Sequence, residues 1–362
     1  MAGATRSLAL CCLERCAANV LECGGGSSGE PRMGLMATID VLVPCYRYGR
    51  FLRACIASVQ AQPVDFRILI IDDASPDDTR EIAEDLARED QRISVVSHPR
   101  NRGHIATYNE GIEWASADCF LILSADDLIA PYALARALAL FEAHPKAVLT
   151  YGGCLDLGAE APVPALEAEG TDEPWRVRAG HAFIEETCAT AFDWVATPTA
   201  IVRTAAQKEA GYYRDELPHA GDMEMWLRLA VLGDVADTKA IQAFRRIHGA
   251  NMSLTAHDVV ARDYLQREAV FASFFGKAGA HLSDAPKLRR LANHRLAERA
   301  FWTGVAQICR GNRQTGRDLL ALACRLRPHT VYAPPLAQLL RMGEPHRRLA
   351  SVLSDVVKGI GG

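Results

Sequence analysis

The chain has 362 residues, with 40 Lys and Arg against 44 Asp and Glu, a net charge of −4, and 49% hydrophobic residues. That balance excludes wholesale disorder and collagen-like structure and gives no case for nucleic acid as the main partner. No apolar run reaches the ~18–20 uninterrupted residues that a membrane-spanning helix needs.

Charge is unevenly spread. Residues 286–362 carry fourteen Lys and Arg against four Asp and Glu, a net +10, which leaves −14 for the first 285 residues. An acidic body with a basic tail points to different partners for the two parts. Of the eleven cysteines, Cys45, Cys119, Cys188 and Cys324 sit in apolar segments and read as small buried hydrophobes in a reducing cytosol. Cys11, Cys12, Cys16 and Cys23 form a group without a paired Cys-x-x-Cys or a nearby His, so incidental thiols outrank a metal knuckle.

Residues 1–35 read as a flexible extension. Ser7 to Val20 has the apolar character of a signal-peptide core, but Glu14 and Arg15 interrupt it. Gly24 to Gly29 is a linker, and the folded part is expected to begin at Met36. From there strand and helix alternate. Ile39 to Val43 is a β-branched strand stopped by Pro44, and Phe51 to Gln60 has apolar residues at helical spacing. Phe66 to Ile71 is nearly all apolar, as in a sheet covered on both faces. Ser75 is the expected N-cap of a helix with Pro76 in its first turn. Ile93 to Val96 is a strand, Ala106 to Ala115 a helix, and Cys119 to Leu123 a strand. Pro131 to Ala143 is a helix and Ala147 to Tyr151 a strand. Residues 154–180, rich in Ala, Pro, Glu and Gly, read as a loop or excursion, and 181–250 resume mixed structure. From about Asp258 the pattern is all-helical. Leu291 to Cys309 and Gln314 to Leu326, around Gly311-Asn312, form a hairpin resembling one tetratricopeptide unit.

Repeated βα units predict an α/β fold with a mostly parallel, doubly wound sheet flanked by helices and a C-terminal helical extension. The expected organisation is an extension over 1–35, an α/β domain over 36–256 and a helical region over 257–362. Ligands of such sheets bind beyond the carboxyl ends of the strands. Cys45-Tyr46, Asp72-Asp73 and Asp126-Asp127 all follow a strand, so they are expected to meet in one crevice. A carboxylate delivered there is costly without a partner, and Mg²⁺ or Mn²⁺ is the natural one. The competing reading of each acidic pair is a helix cap.

The ordered set Pro44-Cys45-Tyr46, Asp72-Asp73-Ala74-Ser75, Asn101-Arg102-Gly103 with Asn109-Glu110-Gly111, and Ser124-Ala125-Asp126-Asp127 resembles the family 2 glycosyltransferases, inverting enzymes with the GT-A fold. The resemblance runs from roughly Thr38 to Ser253. It implies that Pro44, Cys45 and Tyr46 wall the nucleotide base, with Tyr46 stacking on it, and that Asp73 accepts a hydrogen bond from a uracil imide. It implies nucleotide or metal contact by Asp126, with Asp127 and His248 completing the metal sphere. Ser124 stands where the family has the first acid of Asp-x-Asp, and Gly221 where it usually has Glu. Asp222 keeps the position of the general base, and its competing reading is a helix cap. Phe244 to His248 with Asn251 and Ser253 resembles a further family segment, which implies that Arg246 neutralises phosphate charge.

The implied activity is metal-dependent single displacement of a sugar from a nucleoside diphosphate donor, UDP by family habit, to an acceptor hydroxyl. Surface polysaccharide or glycoconjugate synthesis is the implied setting and the cytoplasm the implied location. A nucleotide-sugar-binding scaffold without turnover is the alternative that Ser124 and Gly221 motivate. No Gly-rich loop with a following Lys supports a nucleotidyltransferase, and the acids do not form the opposed pair of a glycoside hydrolase. Arg289, Arg290, Arg341, Arg347 and Arg348, with Leu336, Leu339, Leu340, Leu349 and Val352, suit contact with anionic lipid at the inner membrane face; a solvated helical face or a dimer surface is the competing reading.

Overall fold

The structure, a computed structural model, describes residues 37–162, 173–249, 251 and 259–335. The extension with its cysteine group, Ser253 and the basic tail from Leu336 onward lie outside the described residues.

Four strands form the parallel half of the sheet: β1 (Ile39–Cys45), β2 (Phe66–Asp72), β3 (Ile93–Ser97) and β4 (Cys119–Ile122), in the order β3-β2-β1-β4. Side chains alternate across it, as the pleat dictates. Ile39, Val41 and Val43 of β1, Ile68 and Ile70 of β2, and Cys119 and Leu121 of β4 face one core. That core is closed by Leu52, Ile56 and Val59 of α1 (Gly49–Gln60), Ala83 and Leu86 of α2 (Thr79–Glu89) and Leu134 and Phe141 of α4 (Ala133–Ala143). Leu42, Leu69, Ile71, Phe120 and Ile122 face the opposite core, beginning with Ile105 and Ile112 of α3 (His104–Trp114).

The rest of the sheet is mixed. β5 (Leu128–Ile129), β6 (Ala147–Gly158), β7 (Trp175–Arg178), β8 (Ile201–Arg203) and β9 (Asp234–Ile247) continue it from β4 through β8 to β6 and β9. β6 and β9 run parallel, while β8 is antiparallel to β4 and β6, and β5 and β7 are antiparallel to β9. The expected parallel layer is therefore the β3-β2-β1-β4 half, extended by antiparallel pairs.

Residues 154–180 are not one loop, because β6 continues to Gly158 and β7 follows at Trp175. The reason is tertiary: the stretch from Gly153 to Gly158 pairs with β9 from Ile241 to Ile247, and composition does not reveal that partner. Ser75 is not an N-cap either. Its hydroxyl accepts the Arg47 N–H (3.0 Å), and the helix begins four residues later, where Asp77 Oδ1 accepts from Thr79 Oγ1 at 2.5 Å.

The second core gathers α5 (Gly180–Thr190), α6 (Thr204–Ala210), α7 (Gly221–Leu232), α8 (Val259–Gly276), α9 (Ala285–Cys309) and α10 (Arg313–Leu326). Phe271 and Phe274 of α8, Leu288 and Leu296 of α9, and Leu319 and Leu322 of α10 share this core with Leu149 of β6 and Phe183 of α5. The helical hairpin turns at Gly311, whose φ of 87° suits glycine. Among the described residues, no helix is long and apolar enough to cross a membrane. Of the cysteines expected in the core, Cys45, Cys119 and Cys188 are buried and Cys324 is partly buried, all as free thiols.

One buried acid is structural. Asp40 is fully buried and accepts from Arg67 Nε (2.8 Å) and Nη2 (2.7 Å), Ser116 N (2.6 Å) and Ala117 N (2.8 Å). It locks the α3–β4 connection to β1 near that strand's amino end, leaving the carboxyl end for the ligand.

Candidate active site

Past the carboxyl ends of β1, β2 and β4 lies a crevice of about 1060 Å³. Pro44, Cys45, Tyr46, Asp73, Asp126, Asp127, Asp222 and His248 all line it. The shared register of β1 and β2, with Cys45 opposite Asp72, brings the first strand-end segments level.

Tyr46 is 43% exposed, an aromatic face open to the crevice. Of the first acidic pair, Asp72 closes its own turn: Oδ1 accepts the Ser75 N–H at 3.1 Å. Asp73 ties down the segment around residue 102. Its Oδ1 takes the N–H of Arg102 (2.7 Å) and faces His98 Nδ1 (2.7 Å), and its Oδ2 takes the N–H of Gly103 (2.8 Å). One lone pair of Oδ2 thus remains for a ligand donor. His98 Nε2 in turn faces Glu110 (3.0 Å), which also pairs with Arg102 (2.6 Å). Gly103, at φ 82°, turns the chain into α3.

The second pair is buried as well. Asp126 Oδ2 faces His248 Nε2 (3.0 Å) and accepts from Asn251 Nδ2 (3.2 Å), while its Oδ1 is buried with no hydrogen-bond partner among the described residues. Asp127 accepts the N–H of Arg246 at 3.1 Å. Burial pushes both carboxyls up, Asp127 well above its ordinary value with the neighbouring Asp126 adding to it; the His248 contact pulls Asp126 back. An orphaned hard oxygen beside two adjacent buried carboxylates is what a dication would relieve, so the donor set fits Mg²⁺ or Mn²⁺. Among the described residues, no three His, Cys, Asp or Glu side chains converge on one metal position. His248 Nε2 is engaged with Asp126, and its ring packs on Phe51 (5.0 Å) and Tyr48 (5.5 Å), so the structure seats it as the support of Asp126.

Arg246 is not brought to the crevice. Its side chain turns behind Phe51, and Nη1 donates to the carbonyl of Ala159 (2.9 Å). The neighbouring Arg245 lines the crevice and pairs with Asp156 (2.8 Å), while the charge of Arg246 acts on Asp126 and Asp127 from outside the crevice wall.

Asp222 sits in the first turn of α7. Glu224, buried in that turn, holds Arg214 (2.7 Å) and Arg228 (2.8 Å), and Asn109 of α3 exchanges two hydrogen bonds with the Tyr213 backbone. These ties anchor the loop leading to α7 and so aim Asp222. Its Oδ2 accepts the Thr197 hydroxyl at 2.6 Å. Burial raises its pKa, and the Thr197 bond opposes the rise. Thr197 was not legible in the sequence, because a Thr-Pro-Thr turn carries no chemical pattern. His104, which follows the Asn101-Arg102-Gly103 segment that the sequence singled out, lines the crevice, as do Arg50, His219 and Arg262; single basic residues on unpatterned stretches gave no signal for the last three.

Comparison with known proteins agrees with this architecture. Residues 40–162 match the model of glycosyl transferase family 2. An uncharacterized glycosyltransferase of Haemophilus influenzae is 24% identical over 218 residues, 59% of this chain and 67% of the relative; other curated relatives match over only about a quarter of their own length. The S. aureus TarS 1–349 structure superposes with a TM-score of 0.58 at 17% identity over 88% of this chain and 89% of that one. The same fragment in complex with UDP-GlcNAc gives 0.52, at 16% identity over 82% and 92%. The mannosyltransferase PcManGT of Pyrobaculum calidifontis, in complex with GDP-Man and Mn²⁺, gives 0.55 at 16% identity over 97% and 93%. The matching model lies on the strands that carry Asp73, Asp126 and Asp127, and the surrounding architecture is that of the GT-A structures above, so residues 40–162 are similar to a glycosyl transferase family 2 domain.

Proposed function

We propose that the chain transfers a sugar from a nucleoside diphosphate donor to an acceptor hydroxyl by single displacement with inversion, in a divalent-cation-dependent reaction. The observation that carries this is the meeting of Asp73, Asp126, Asp127 and Asp222, from three separate segments, in one crevice. Tyr46 offers its face to the base, and the remaining lone pair of Asp73 Oδ2 suits an imide N–H, which favours a uridine nucleotide. Asp126, supported by His248 and flanked by Asp127, would hold the cation. When bound, the cation supplies charge neutralisation to the departing diphosphate.

Asp222 takes the acceptor proton as the acceptor oxygen bonds to the anomeric carbon, and the bond to the diphosphate oxygen breaks with its electron pair leaving on that oxygen. Base and leaving group on opposite sides of the sugar give inversion without a covalent intermediate. Orientation in the crevice contributes up to ~7–11 kcal/mol in favourable systems. A cytoplasmic enzyme of polysaccharide or glycoconjugate synthesis fits this chemistry.

The test is a panel of nucleotide sugars with Mg²⁺, Mn²⁺ or a chelator, scored by thermal shift and by release of nucleoside diphosphate. Asp222→Asn should keep donor binding and lose transfer by a factor of 10² or more. Binding without any diphosphate release in the wild type would favour the scaffold reading that Ser124 and Gly221 motivate.

A further inference from the structure

We propose that the Asp222 end of the crevice is built for an acceptor that carries a fixed negative charge, a phosphate or a carboxylate, received by Arg262 with His219 beside it. The proposal deepens the reading above and rests on Asp222 marking the acceptor end.

Arg262, in the first turns of α8, is partly buried and lines the crevice. Among the described residues it forms no ion pair. The acids nearby are already engaged. Asp263 pairs with Arg267 at 2.7 Å, Asp222 accepts from Thr197, and Asp193 accepts the Val195 N–H at 3.0 Å. His219 lies within the field of Arg262, and on the far side His104 faces the Pro218 carbonyl at 2.8 Å. His104 also lies within the field of Asp222, which places the group at the base's end of the crevice. Burial and these two neighbours all lower the proton affinity of His219.

A guanidinium that has given up part of its water beside the His219 imidazole is poorly compensated until an anion arrives. Its planar fork matches phosphate or carboxylate oxygens in pairs. The donor's phosphates have cations at their own end. Arg50 stacks on Phe51 (4.4 Å), Phe51 packs on His248, and His248 reaches Asp126, so Arg50 stands beside the second acidic pair. Arg47 lines the same wall next to Tyr46. Arg262 is therefore left for the other substrate.

The experiment measures binding of methyl glucoside, methyl glucuronide and methyl glucoside 6-phosphate to the full chain by calorimetry, with and without saturating UDP. Both charged probes should bind at least tenfold more tightly than the neutral one, with UDP present as well as absent. Arg262→Gln should abolish the preference and Arg262→Lys should keep part of it. Equal affinity for neutral and charged probes, no measurable binding of any, or an unchanged preference in Arg262→Gln overturns the proposal. Displacement of the charged probes by UDP also overturns it, because Arg262 would then serve the donor. UDP binding is measured separately: its failure sinks the donor reading, whereas the charge preference at Arg262 is a result of its own.

Discussion

Asp73→Asn separates two roles of one carboxylate. In the structure Asp73 receives three short hydrogen bonds, from the backbone N–H groups of Arg102 and Gly103 and from the ring of His98. The amide keeps one acceptor oxygen. Even in its better orientation it loses the Gly103 bond and sets an NH₂ against a buried N–H, at about 1–3 kcal/mol. The two surviving bonds change from charged to neutral acceptors, roughly halving their strength, so the closed form of the 101–103 segment loses about 3–4 kcal/mol. That segment can open without global unfolding, so the loss should appear first in local hydrogen exchange. Protection of the Arg102 and Gly103 amides should fall by about 10²–10³, since ~1.4 kcal/mol is a factor of ten. Uridine nucleotide binding should weaken in parallel. Unchanged protection at those two amides with a large loss of UDP affinity would refute the reasoning: the carboxylate would then serve the base alone.

Thr197→Val removes the bond that favours ionised Asp222, so the acidic limb of the kcat–pH profile should move to higher pH, and Thr197→Ser should restore it; an unmoved limb refutes the pairing. Burial pushes the carboxyl of Asp193, ordinarily 3.8, up to about 7. The folded state therefore holds that proton more tightly, and stability is lost as pH rises from about 4 to about 7. Asp193→Asn removes this loss, and since the amide oxygen can still accept from Val195, denaturant midpoints should show a larger gain at pH 8 than at pH 5. At Gly180 a Cβ would stand 1.9 Å from the Ala230 carbonyl oxygen and 2.2 Å from that of Gly233, both backbone. Gly180→Ala should cost about 3 kcal/mol, at the upper end of overpacking, read from urea unfolding.

The β3-β2-β1-β4 half was legible because its strands are continuous apolar runs and its helices keep a 3.6-residue period. β6 and β9 were less so. Gly152 and Gly153 break the strand pattern, and register shifts between Ala147 and Cys154 show that the long ladder is set by its partner, not by local preference. The acids of the site were legible because they stand at strand ends and a helix start in one ordered pattern, although a helix cap competed as the reading of each. Their division of labour was not. That Asp72 closes a turn, that Asp73 fastens a neighbouring loop and that His248 is occupied by Asp126 depend on distances between segments more than 25 residues apart or on one local turn. That the Arg246 head group reaches the Ala159 carbonyl, off the crevice wall but within the field of Asp126 and Asp127, likewise depends on a contact between distant segments.

The position of β8 sets a limit on dissection. Leu121 of β4 lies opposite Ile201, and Thr150 of β6 lies opposite the same residue, so β8 is the splice between the two halves of the sheet. The stretch by which the family is recognised stops at residue 162, before that splice has been made. Excised there, it would keep its signature yet present bare amide rows along both β4 and β6, an invitation to self-adhesion. A catalytic core trimmed to the recognisable motif is thus a poor reagent, and a serviceable minimal fragment must run past β9 to the helices that bury its other face.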